Sequence, residues 1–213
     1  MPRSLTRLLQ STVLAAAVLP AAVFPAAAQK PAGPLPLAAF AAQRVLVLPV
    51  QHLRSDTGSI VTAAGWGAFR KELDDSIGAQ IADRGIGRGW GYAADVARTT
   101  KRNALYSGDP YALGAQPLRG VIPRPDDKVP QVLAGNIRTI IALGDARYVL
   151  LPIELRIERK GALQQAVLRL TLIDGRLGQF VWIGDVVSEQ ATVLTPSVIN
   201  SLASRVADLI VAK

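Results

Sequence analysis

The chain has 213 residues, half of them apolar and 19% charged, with no cysteine and a formal net charge of +8. That much apolar content with that little charge excludes an intrinsically disordered chain. The missing thiols exclude a disulfide scaffold, a cysteine-ligated metal site and a thiol enzyme, and the length fits one domain or two small ones.

Residues 1–28 read as a secretory signal peptide. Arg3 and Arg7 supply a basic start, an apolar run follows from Leu8 to Leu19, and Ala26 and Ala28 fit a small-residue cleavage pattern. Pro20 and Pro25 interrupt the run before the roughly 20 apolar residues that a span requires. A retained anchor is the alternative. No cysteine follows the run, so lipid attachment there is excluded. The expected location is the periplasm, with passage beyond the outer membrane left open. Without Arg3 and Arg7 the net charge falls from +8 to +6.

Residues 29–43, with Pro31, Pro34 and Pro36, read as an extended leader. A single domain is expected over residues 44–213. Its first element is the nearly continuous apolar run 44–50, a strand buried on both faces. Residues 51–65 read as a loop. Phe69, Leu73, Ile77 and Ile81 then recur every four residues and predict a helix over 67–83. Asp74 and Asp75 fall off that stripe and read as solvated helix charge. Gly85, Gly87 and Gly89 end the helix in a turn. They lack the strand before and the helix after that a phosphate loop requires.

Trp90 and Tyr92 suggest a short strand, and residues 93–105 a second helix whose exposed face carries Arg98, Lys101 and Arg102. Five prolines mark residues 107–130 as a long irregular loop, a kind of segment that is usually functional or mobile. Residues 131–143 predict a third helix with Val132, Ile137, Ile140 and Ile141 toward the core and Gly144 as its stop. Three strands follow, at about 147–159, 163–174 and 179–187. In the first, Ile153, Leu155 and Ile157 alternate with Glu154, Arg156 and Glu158. In the second, Leu168, Leu170 and Leu172 oppose Arg169 and Thr171. In the third, Phe180 and Trp182 face one way and Val181 and Ile183 the other. A turn at Gly161 and Ala162 sets Glu154 opposite Arg169. Thr195 and Pro196 open a last amphipathic helix. The order describes an α+β (mixed α/β) fold: a sheet with a C-terminal antiparallel three-strand meander and amphipathic helices packed on one face.

Several of these segments together resemble a group of bacterial envelope domains. They are the strand ending Leu48, Pro49, Val50; the run Tyr148 to Leu151; the run Leu170 to Gly175; and Phe180, Val181, Trp182 after an Asp-containing turn. The group includes the curli-secretion lipoprotein CsgG, the lipoproteins that activate penicillin-binding proteins, and the amino-terminal domain of TolB. The resemblance implies a non-catalytic periplasmic module that binds other proteins or assembles, with no catalytic residues to carry over. The chain departs from the group in lacking a lipobox cysteine, in having no propeller repeats, and in its proline-rich stretch 107–130.

No catalytic, cofactor-binding or metal site is expected from the residues, and no nucleic acid across an export barrier. His52 is the only histidine and has no serine or cysteine constellation around it in the sequence. The candidate surface for a protein partner in the envelope is Arg98, Lys101, Arg102, Glu154, Arg156, Glu158 and Arg169. Arg119 and Arg124 are expected to join the basic cluster, which could also meet an anionic surface. Tyr106 and Tyr111 nearby suit a protein interface. The rival reading is an enzyme or small-ligand binder using His52, Asp126 or Asp127 beneath the loop 107–130.

Overall fold

The computed structural model describes residues 35–55 and 63–212. The signal-peptide reading and the start of the leader lie outside them. The fold is α+β. Six strands form one mixed sheet: β1 (Val45–Val47), β2 (His52–Ser55), β3 (Trp90–Gly91), β4 (Tyr148–Lys160), β5 (Leu163–Asp174) and β6 (Gln179–Val187). Their order is β3-β1-β4-β5-β6. β1 runs parallel to β3 and to the start of β4, and β2 runs parallel to β4 further along the same edge. β4, β5 and β6 make the expected antiparallel meander, and Gly161 takes φ +64° in the first turn. The register places Glu154 opposite Arg169, as the turn residues imply.

Among the described residues four α-helices accompany the sheet: α1 (Ala63–Ile81), α2 (Ala93–Arg102), α3 (Gln131–Gly144) and α4 (Pro196–Asp208). On α1 the stripe Leu73, Ile77, Ile81 is fully buried. A widened turn, Ala82–Ile86, follows, and Gly85 at φ +81° breaks the helical path. α3 ends on Asp145, which takes a left-handed φ of 47° and donates its N–H to Ile141 O. Gly144, expected as the stop, instead lets Leu46 approach: a Cβ there would meet Leu46 Cδ1 at 2.7 Å. Val132, expected in the core, is 69% exposed, and Leu133 takes the buried position.

The helices occupy both faces of the sheet rather than one. α1 and α4 pack with Leu150, Leu155, Ile157, Leu168, Leu170 and Leu172. α3, with Val96 of α2, packs with Val149, Leu151, Ile153, Ile173 and Phe180. β1 and the first half of β4 are apolar on both sides, and each side must be covered. Residues 107–130 are not a free lid. Leu113, Ala115, Leu118 and Val129 are buried in the α3-side core. Leu37, within the segment read as an extended leader, is fully buried against α1 and α4 and donates its N–H to Leu209 O at 2.9 Å.

Two bulges correct the expected facing of side chains. The β4–β5 register shifts between Pro152 and Glu154, so Ile153 joins Val149 and Leu151 while Leu155 and Ile157 face the other core. The β5–β6 register shifts between Leu172 and Ile173 and leaves Val181 without a partner. Phe180 therefore points to the α3 side and Trp182 to the α1 side, where one shared face was expected. One extra residue inverts the phase of everything beyond it. Residues 51–65 also depart from the loop reading: 52–55 form β2, because pairing with β4 satisfies a stretch whose own apolar pattern is weak.

Candidate functional site

The β4 bulge divides one face of the sheet in two. Before it, Val149, Leu151 and Ile153 lie under α3. Beyond it the same face carries Glu154, Arg156 and Glu158, with Arg169 and Gln165 from β5 and Asp185 from β6. The ion pairs here run both along β4 and across to β6. Arg156 Nε donates to Glu158 Oε1 at 2.8 Å and its Nη2 to Asp185 Oδ2 at 2.7 Å. Arg169 grips Asp185 with two bonds of 2.8 and 3.0 Å. Gln165 donates to Glu158 at 3.0 Å. These guanidinium and carboxylate side chains are 13% to 35% exposed, so the face is a braced layer of charge rather than an open polar lawn. The hydrogen bond from Arg156 holds the Glu158 carboxyl below its usual range. Burial pushes Asp185 up, but the bonds from Arg169 and Arg156 outweigh it and the net direction is down.

Glu154, proposed from sequence for the same surface, is almost fully buried. Arg119 from the 107–130 segment closes over it, donating Nε to Oε1 at 3.0 Å. Arg119 therefore belongs to the sheet and not to the basic cluster on α2. Arg124 sits elsewhere, its backbone N–H donating to Asp127 Oδ2. The expected patch of five basic residues does not form. Arg98, Lys101 and Arg102 do share the exposed face of α2, with Arg98 paired to Asp95 at 3.0 Å.

The residues of the rival catalytic reading do not converge. His52 lies on β2 opposite Glu154. Burial, then the Arg119 guanidinium, lower its pKa, with Glu154 and the Ala115 backbone opposing. Asp126 and Asp127 pair with β6, the Asp126 N–H donating to Phe180 O and the Phe180 N–H to Asp127 O. β4 and β5 lie between β2 and β6, a separation of about 14 Å in strand spacings alone. Leu113, Ala115, Leu118 and Val129 of the segment fill core, and the cleft of about 350 Å³ between α2 and residues 107–111 is lined by none of His52, Asp126 and Asp127. A cleft of about 380 Å³ opens between α2 and α3 beside Arg44, Trp90 and Asp95, and holds none of the three. No cluster of three His, Cys, Asp or Glu side chains suited to a metal occurs among the described residues.

Sequence reasoning missed three residues that organise this region. Gln51 donates to the carbonyls of Pro49 and Pro110 and accepts the Leu113 N–H, tying residues 107–130 to the end of β1. Arg70 of α1 lies 4.1 Å over the ring of Tyr111, from the same segment, and 5.6 Å from Trp66. Asp74, expected in solvent, is 6% exposed and accepts the Val50 N–H at 3.0 Å, while its Oδ2 has no partner among the described residues. Burial pushes its pKa up to about 7, against the opposing Val50 hydrogen bond and Arg70 charge. A fourth residue missing from the sequence-based surface, Asp185, did carry a signal, since two positions beyond Ile183 it shares that residue's face on a strand paired with β5.

No family model and no curated protein matches the chain. Among solved structures it is similar to lipoprotein GNA1162 from Neisseria meningitidis, at 17% identity and a TM-score of 0.40 over 77% of this chain and 94% of that one. It is similar to LpoB of E. coli at 15% identity and 0.40 over 90% and 91%. It is similar to the PelC dodecamer from Paraburkholderia phytofirmans at 15% identity and 0.36 over 80% and 89%. These are coarse likenesses, with every TM-score below 0.5.

Proposed function

We propose that the chain is an exported, non-catalytic module that binds a protein partner in the cell envelope through the polar half of the β4–β5–β6 face. The braced charge layer carries this reading. Arg156, Arg169, Glu158 and Asp185 are held in fixed positions yet keep part of their surface in water. A partner meeting them finds side chains already ordered, which lowers the entropy lost on association. Arginine is among the residues that interfaces favour. The export expectation rests on residues 1–28.

A photo-crosslinking residue placed at Glu158, on this face, and another at Val132, exposed on α3, separate this surface from the rest of the molecule. Irradiation in the cell envelope is expected to give one discrete protein adduct from position 158 and none from 132. Equal labelling at both positions, or an adduct from 132 alone, refutes the assignment of the face.

A further inference from the structure

α2 ends in an unusual projection. Ala93, Val96 and Thr100 are buried against the body, so Arg98, Lys101 and Arg102 point outward. The chain then turns at residues 103–106 and presents Leu105 and Tyr106, 94% and 78% exposed. The turn is rigid. Asn103 donates its side-chain amide to Thr99 O at 2.8 Å, and its carbonyl accepts the N–H groups of Tyr106 and Ser107 at 2.9 and 3.0 Å. Two apolar side chains are thus held out in water by a built support. Of the acidic groups nearby, Asp95 is paired with Arg98, while Asp109 accepts the Tyr111 N–H and keeps its charge in water. Lys101 and Arg102, both exposed next to the tip, outnumber it.

We propose that this tip docks on the surface of an anionic phospholipid bilayer, with Leu105 and Tyr106 entering the interfacial layer and Lys101 and Arg102 against the headgroups. The shape favours a bilayer over a protein. Leu105 stands on a convex tip, and a bilayer receives a protrusion without needing a matching pocket. Tyrosine suits the boundary, having an apolar ring and a hydroxyl that stays wet. The sign of the exposed charge complements anionic lipid, each cation near such a surface strengthening binding about fivefold. Among the described residues no helix is long and apolar enough to cross a membrane. The tip and the charge layer on the sheet share no residue, so the two assignments stand or fall separately.

The test uses the protein as exported, mixed with phosphatidylglycerol vesicles and with phosphatidylcholine vesicles. Sedimentation with phosphatidylglycerol alone is expected, weakening as salt is raised. K101E with R102E should abolish it. Leu105→Ser should weaken it about tenfold, the effect of losing part of one buried leucine. Leu105→Trp should add a fluorescence signal that shifts to the blue with phosphatidylglycerol only. All three positions are exposed, and unchanged thermal unfolding verifies that each variant is folded. Equal binding to both lipids, an unshifted signal from the Leu105→Trp variant, or wild-type binding by Leu105→Ser overturns the proposal. So does capture of a protein through position 106 without vesicle association.

Discussion

Asp74 makes the stability of the domain depend on pH in the direction opposite to that of most carboxylates. Its folded pKa of about 7 lies above the ordinary 3.8. The folded state therefore binds a proton more tightly than the unfolded chain does, and the stabilisation is complete below pH 3.8. It is lost as pH rises from there to about 7, and the loss is constant above. The full interval corresponds to about 4 kcal/mol at roughly 1.36 kcal/mol per pH unit. Asp74→Asn keeps an oxygen for the Val50 N–H and removes the charge. It also points an amide N–H₂ at the place where Oδ2 has no partner, which costs about 1 to 3 kcal/mol. Urea midpoints of both proteins at pH 5 and pH 8 measure the difference. Between pH 5 and pH 8 the wild type should lose about 3 kcal/mol relative to the Asn variant and become the less stable of the two at pH 8. If the two proteins keep a constant gap across that range, Asp74 is ionised throughout and the burial argument is wrong.

Three further substitutions probe other parts of the structure. Gly184→Ala drives a Cβ into the Trp182 ring, so the ring must leave its seat on the β6 edge. A loss of about 1 to 3 kcal/mol is expected from overpacking, with a change in tryptophan emission. Asp185→Asn takes from Arg169 its paired carboxylate and leaves Arg156 with Glu158 alone. It should cost about 2 kcal/mol at neutral pH and little at low pH, because a lowered pKa gives stability that is lost as pH falls through it. Thermal unfolding at two pH values reads both. Gln51→Ala frees one N–H and two carbonyls that hold residues 107–130. Limited proteolysis should then cut within that segment faster than in wild type, and an unchanged cutting rate would remove Gln51 as its anchor.

The elements that could be read from sequence are those whose signal is local. The stripe on α1, the Gly161 turn and the Thr195 start of α4 depend on neighbours a few residues away, and all three appear where their residues place them. The Glu154–Arg169 register follows from one turn and holds until the bulge. What stayed hidden depends on partners far along the chain. Pairing with β4 turns 52–55 into a strand, and contact with α1 and α4 draws Leu37 into the core. The bulges at Ile153 and Val181 have no local mark, and they decide which side chains share a face. The candidate surface suffers most from this. Glu154 is in the right place but covered by Arg119, and Asp185, which both arginines hold, becomes visible only when β6 is in register.

The sheet also constrains the order in which the chain can assemble. β4, β5 and β6 are joined by short turns and meet early once they exist. β1 and β2 must wait. Their partner on β4 follows an intervening stretch that Arg44 and Gly144, 100 residues apart, bridge with one hydrogen bond. Pairing at that separation carries a large loop-closure cost and slows folding. The one earlier partner of β1 among the described residues is the two-residue β3. The sheet can close around β1 and β2 only once residues 148–160 are present.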